Sequence, residues 1–171
     1  MKRVMIIGCG GAGKTTLSRQ LAEKTGLLLV HLDRIFWSPG NWNHLEKEEF
    51  DELLIREMEK DSWILDGNYN RTMPMRLDRC DTVIYLDYSR LTCIWGWLRR
   101  VIKNHGQARP DMAPGCGEWL DPEFFKWLWN FNKKYRKSYH EMLSRLGGKK
   151  VYIFKNQWVF AFIFCRRYCL Q

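Results

Sequence analysis

Residues 8–15 read Gly-Cys-Gly-Gly-Ala-Gly-Lys-Thr and follow directly on the apolar run 4–7. This is the pattern G-x-x-x-x-G-K-[ST], between a strand and the start of a helix. The glycines let the backbone curl so that successive N–H groups point inward at phosphate oxygens. The helix opening near Lys14 adds the positive end of its dipole. Lys14 is expected to reach the β- and γ-phosphates of a nucleotide, and the Thr15 hydroxyl to ligate Mg²⁺. A glycine turn with a purely structural role would need neither side chain. The predicted nucleotide-binding set is Gly8, Gly10, Gly11, Ala12, Gly13, Lys14, Thr15 and Thr16, with ATP and Mg²⁺ as the expected cofactors.

The rest of the chain alternates strands and helices. Strands are predicted at 2–7, 27–32, 62–65, 82–86 and 150–154, each short, apolar and closed by turn or polar residues. Helices are predicted at 14–25, from Asn43 to about residue 60, at 90–103 and from Asp121-Pro122-Glu123 to about residue 146, with a final apolar helix after residue 156. Residues 33–42 read as a loop turning at Pro39-Gly40. A polar arm bearing glycine and proline spans 105–117 and reads as a lid over about residues 104–118. Such alternation implies one α/β domain over residues 1–171: a three-layer P-loop NTPase fold, a parallel five-stranded sheet with helices on both faces.

Ligands of such sheets bind at the carboxyl ends of the strands. Gly8, Asp33, Asp66 and Asp87 stand at or just after predicted strand ends. Asp66, followed by Gly67, is the expected metal carboxylate beside Thr15; Asp87 either serves the metal in its place or caps the next helix. Asp33, with His31 and Trp37 nearby, is the candidate to bind or deprotonate an acceptor hydroxyl. Arginines are expected to clamp the transferring phosphoryl group. The candidates are Arg71, Arg76, Arg99, Arg100 and Arg109.

Lys and Arg total 28 against 19 Asp and Glu, a net charge of +9. That excess favours an anionic partner without choosing among nucleotide, phosphorylated metabolite, DNA or acidic surface. The six cysteines include no Cys-x-x-Cys pair and read as reduced thiols. No apolar run is long enough to span a bilayer or to serve as a signal sequence, so the expected location is the cytoplasm. Aromatics crowd residues 124–131 ahead of Lys133, Lys134, Arg136 and Lys137. They read as core first and as a stacking platform for single-stranded nucleic acid second.

The loop, together with Leu65-Asp66-Gly67 and Arg71-Thr72, resembles the adenylate kinase-like nucleoside monophosphate kinases. That likeness assigns the metal to Asp66 and phosphate contact to Arg71. Across most of the chain, further segments resemble the DNA topology modulation (FlaR-related) family: His31-Leu32-Asp33, Trp37, Pro39, Asp66-Gly67-Asn68-Tyr69, Arg109-Pro110-Asp111-Met112, Gly115-Cys116 and Trp127-x-Trp129-Asn130. The resemblance implies an adenylate kinase-like ATPase with an effect on DNA topology, although no DNA-reading module is evident. Members of that family carry an arginine near Gly96. Here Cys93-Ile94-Trp95-Gly96-Trp97 has none, leaving Arg99 and Arg100. The expected activity is therefore an ATP-dependent phosphotransferase acting on an unidentified small nucleotide, nucleoside or hydroxylated metabolite. DNA-associated regulation and nucleotide sensing are the alternatives.

Overall fold

A computed structural model describes residues 1–38 and 42–156. The predicted turn at Pro39-Gly40, the final helix and the thiols of Cys165 and Cys169 lie outside the described residues.

Five strands form one sheet: β1 (Arg3–Gly8), β2 (Leu29–His31), β3 (Trp63–Asp66), β4 (Thr82–Leu86) and β5 (Lys150–Phe154). The order is β2-β3-β1-β4-β5 and every pairing is parallel. Successive strand residues point to opposite faces, yet Val4, Met5, Ile6 and Ile7 are all fully buried. Both faces of the sheet are therefore covered, as a parallel sheet requires. The covering helices are α1 (Lys14–Thr25), α2 (Leu32–Phe36), α3 (Lys47–Met58), α4 (Met73–Arg79), α5 (Arg90–Asn104) and α6 (Pro122–Ser144). The expected three-layer α/β architecture is the one observed.

Several expectations are corrected. The second strand is only three residues long, and Asp33 lies in α2 rather than in a loop. As an edge strand, β2 pairs with β3 alone, and the buried Leu32 seats the helix that follows. The helix predicted from Asn43 begins at Lys47 and has no capping side chain. Backbone groups of 43–45 are spent instead on residues 36–38: Ser38 N donates to Asn43 O (2.7 Å) and Leu45 N to Phe36 O (2.9 Å). Residues 70–79, for which no element is predicted, form a 3₁₀ turn and α4, whose first turn holds Pro74. Asp87 caps nothing. Ser89 caps α5, accepting from Thr92 N at 3.2 Å. Asp87 instead receives Arg136 and His140 of α6, with His140 Nε2 at 3.0 Å from its Oδ2.

The phosphate loop leans on α5. A Cβ at Gly11 would stand 2.1 Å from the Cys93 carbonyl oxygen, and one at Gly96 would stand 2.2 Å from the Gly11 carbonyl oxygen. Gly11 also has φ 73°, a region glycine enters freely. The side chain missing at Gly96 thus has a steric reason: any substituent there would strike the loop backbone. Cys9 and Cys93 are both buried. Cys9, Cys80, Cys93 and Cys116 form no disulfide among the described residues.

Alanine in a helix is normally favoured over glycine by about 1 kcal/mol. Gly96→Ala is expected to do the opposite, costing about 1–3 kcal/mol through overpacking. It should also weaken nucleotide binding by displacing Gly11. Urea unfolding, read as a lower midpoint at constant slope, checks the first effect, and calorimetric titration with ATP the second.

Candidate functional site

The carboxyl ends of β1, β2 and β3 converge on one side chain. Asp66 is buried at the end of β3, opposite Ile6 of β1 and His31 of β2. Its Oδ2 accepts from Thr15 Oγ1 at 3.0 Å and Ser18 Oγ at 3.4 Å, and lies 3.0 Å from His31 Nδ1. Its Oδ1 is buried without a partner. Thr15 Oγ1 also lies 3.3 Å from Asp111 Oδ2, although its one proton can serve only one carboxylate at a time. Hard oxygens, one of them unclaimed, crowd around the first residues of α1. This donor set fits Mg²⁺, which takes one or two carboxylates and completes its shell with phosphate and water. Among the described residues no group of three or more His, Cys, Asp or Glu is arranged to hold a metal alone.

The loop itself is held from two sides. Asn68 brackets Gly8: Gly8 N donates to Asn68 Oδ1 (3.0 Å), and Asn68 Nδ2 donates to Gly8 O (2.8 Å). Lys14 Nζ donates to the carbonyls of Gly8 (2.9 Å) and Cys9 (3.1 Å), which keeps the ammonium over the loop. No side chain caps α1, which opens at Gly13 with φ 88°, so its first-turn N–H groups suit an anion. Gly10, Lys14 and Thr15 line a cavity of about 870 Å³ that runs from the loop to Trp37 and Trp42. Gly8, Cys9 and Ala12 are buried in the loop's support, while Gly13 and Thr16 face outward.

Asp33 and Tyr69 line the same cavity. Tyr69 Oη donates to Asp33 Oδ1 at 2.7 Å. Tyr69 takes a left-handed backbone, φ 36°, uncommon for a bulky residue. Its ring packs against Phe36 and Phe50, with centroids 4.9 and 5.2 Å away. Arg76, fully buried, donates to the carbonyls of Gly67, Asn68 and Tyr69 and so fixes this segment. The enclosing walls desolvate Asp33 and raise its pKa, with the Asp66 charge adding to the shift and the Tyr69 hydrogen bond opposing it.

The arm is docked over the site. Short bridges at its base join His105 to Glu118 and Ala108 to Gly117. Asp111 receives Arg109 Nη1 at 2.5 Å and Arg19 Nη2 at 3.3 Å, beside Thr15. Met112, Ala113 and Cys116 form a small apolar cluster against Trp37. Arg109 and Arg100 both approach Glu118 Oε1 through Nε, at 2.6 and 3.2 Å, without alignment for a hydrogen bond at those nitrogens. The arm therefore touches both Thr15 and Trp37.

The predicted arginines separate. Arg100 and Arg109 line the cavity. Arg71 does not: it forms a two-pronged pair with Asp51 on the surface, at 2.6 and 2.7 Å. Arg99 is exposed on α5, and Arg76 is structural. The aromatic start of α6 also divides. Leu128 and Phe131 are core, Phe124 and Trp127 line the cavity, and Phe125 and Trp129 remain partly exposed. Sequence reasoning assigned no role to Asn68, Tyr69, Asp111 or Glu118. The first three sat in recognisable motifs but carried no spacing rule that gave them partners.

No protein-family model matches the chain. Over 80 residues it is 34% identical to a provisionally named adenylate kinase of Pyrococcus abyssi, covering 43% of this chain and 44% of the relative. Over 63 residues it is 36% identical to a shikimate kinase of Parabacteroides distasonis, covering 35% of each. The matched stretches thus span less than half of these curated relatives. Among solved structures, a shikimate kinase from Acinetobacter baumannii in complex with shikimate superposes with TM-score 0.58 at 19% identity, over 100% of this chain and 96% of that one. A deoxyadenosine kinase from M. mycoides with bound dATP gives TM-score 0.55 at 17% identity, over 96% and 97%. What the chain shares with these structures is the fold, the three-layer α/β arrangement of P-loop NTPases.

Because the pKa of Asp33 is raised in the folded chain, above its ordinary value of 3.8 the folded state holds more protons than the unfolded one. Stability attributable to this group therefore falls as pH rises past that value. Asp33→Asn keeps an oxygen for Tyr69 and is expected to stabilise the protein at pH 7 by about 1 kcal/mol, or about 2–4 °C in Tm for a chain of this size. The gain should vanish below the ordinary carboxylate pKa. Thermal melts of both proteins across pH 3–8 check this.

Proposed function

We propose that this protein is an ATP-dependent phosphotransferase acting on a small hydroxylated acceptor. The observation that carries the reading is that one cavity is lined both by Thr15 with Asp66, whose Oδ1 is unclaimed, and by Asp33 held by Tyr69. The partial relatives named as kinases and the P-loop NTPase fold support it.

In this reading the loop N–H groups and Lys14 bind the ATP phosphates. Mg²⁺, held by Thr15 and Asp66, would supply charge neutralisation on the β- and γ-phosphates. His31 and Ser18 orient Asp66. Asp33 accepts the acceptor's hydroxyl proton, and Tyr69 fixes the carboxylate that does so. The acceptor oxygen forms its bond to the γ-phosphorus as the bond to the ADP oxygen breaks. Arg109 and Arg100 stabilise charge on the transferring group. The docked arm excludes water, which suppresses hydrolysis.

Lys14→Ala is expected to lower kcat by at least about 100-fold, as loss of a charge-stabilising donor does. Arg109→Ala should have an effect of the same order. Arg71→Ala, which removes an exposed ion pair, should change kcat by about twofold or less. Release of ADP coupled to phosphorylated product, measured with a broad panel of hydroxylated acceptors, tests all three. ATP hydrolysis without product from any acceptor would refute the phosphotransferase reading.

A further inference from the structure

The whole chain carries a net charge of +9, but the cavity does not share it. Its described lining holds five carboxylates against three cations. Lys14 is turned to the loop carbonyls, on the nucleotide side. Arg109 and Arg100 share Glu118, and Arg109 is drawn further to Asp111. Arg71 is held outside by Asp51, and Arg34 lines a separate hollow beside Glu57. Around Asp33 the cavity presents the rings of Phe36, Trp37, Trp42 and Tyr69.

Resting on the phosphotransferase reading, we infer that the acceptor is an uncharged hydroxylated molecule with a flat ring, of the nucleoside class, rather than a phosphate monoester or a carboxylate. A phosphate monoester brings a charge of about −1.5 to −2 at neutral pH. Beside Asp33 it would be desolvated among aromatic rings, and the three cations among the cavity's described residues are already assigned to the ATP phosphates and the transferring group, which leaves its charge without a cation of its own, an arrangement proteins avoid. A carboxylate acceptor meets the same obstacle. A neutral hydroxyl is instead a donor to Asp33, and a planar ring gains from stacking on indole and phenol faces. In the transfer, the hydroxyl oxygen bonds to the γ-phosphorus, its proton passes to the Asp33 carboxylate, and ADP leaves with the bond electrons.

The test uses the purified full chain with ATP and Mg²⁺. Phosphoryl transfer is measured to a set of ribo- and deoxyribonucleosides, to their 5′-monophosphates and to shikimate, with ATP binding followed separately by calorimetry. Transfer to at least one nucleoside is expected, with kcat/KM on the order of 100-fold or more above that of its own monophosphate. The same nucleoside should quench tryptophan fluorescence where its monophosphate does not. In Asp33→Asn, transfer should drop while the binding gap between nucleoside and monophosphate narrows. Preference for monophosphates or shikimate over every nucleoside would overturn the inference and leave the phosphotransferase reading standing. ATP binding with transfer to none of these compounds would overturn the inference, and with it, if the broader acceptor panel is also silent, the reading beneath it.

Discussion

One carboxylate oxygen, Asp66 Oδ2, gathers the first two turns of α1 through Thr15 and Ser18 and the end of β2 through His31. These groups come from three separate parts of the chain. They meet because the parallel register sets His31 and Ile6 on either side of Asp66. A buried carboxylate is costly unless its oxygens are satisfied. Two donors and a histidine crowd one oxygen while the other is left bare, a distribution suited to an ion near the bare oxygen and the threonine. The arm reaches the same junction through Asp111, whose Oδ2 lies 3.3 Å from Thr15 Oγ1.

Packing and charge divide the remaining work. Glycines 11 and 96 bring the phosphate loop against α5, so at Gly11 the loop is braced by backbone, while side chains of α6 pack on Gly10. Asn68 and the buried Arg76 brace it from the side, through the segment that also carries Tyr69. The arm carries its own arginine and its own carboxylates, and much of the cavity's positive charge is already paired. That pairing, more than the shape of the cavity, argues for a neutral acceptor.

The fold was legible because its signals are local and strong. The glycine-rich loop between strand and helix, and apolar runs ending in Asp or Gly, sufficed for the parallel α/β sheet. Asp66 and Asp33 were legible because chemistry in such a sheet gathers at strand ends. The arginines were not. Their positions depend on which carboxylate each finds in space: Asp51 draws Arg71 outward, while Glu118, 18 residues on from Arg100, draws Arg100 inward. No periodicity encodes such pairings. Residues 70–79 escaped for a similar reason. The short helix there is set by Pro74 and by Arg76 reaching back to three carbonyls, not by a repeating apolar face.

The central claim is that the phosphates and the metal of ATP assemble between the loop and Asp66. A crystal structure with a non-hydrolysable ATP analogue and Mg²⁺ tests it most directly. The account predicts β- and γ-phosphates inside the loop at Lys14, and the metal bound to Thr15 Oγ1 near Asp66 Oδ1. Phosphates lodged elsewhere, or a metal on Asp87 with Asp66 uninvolved, would contradict it.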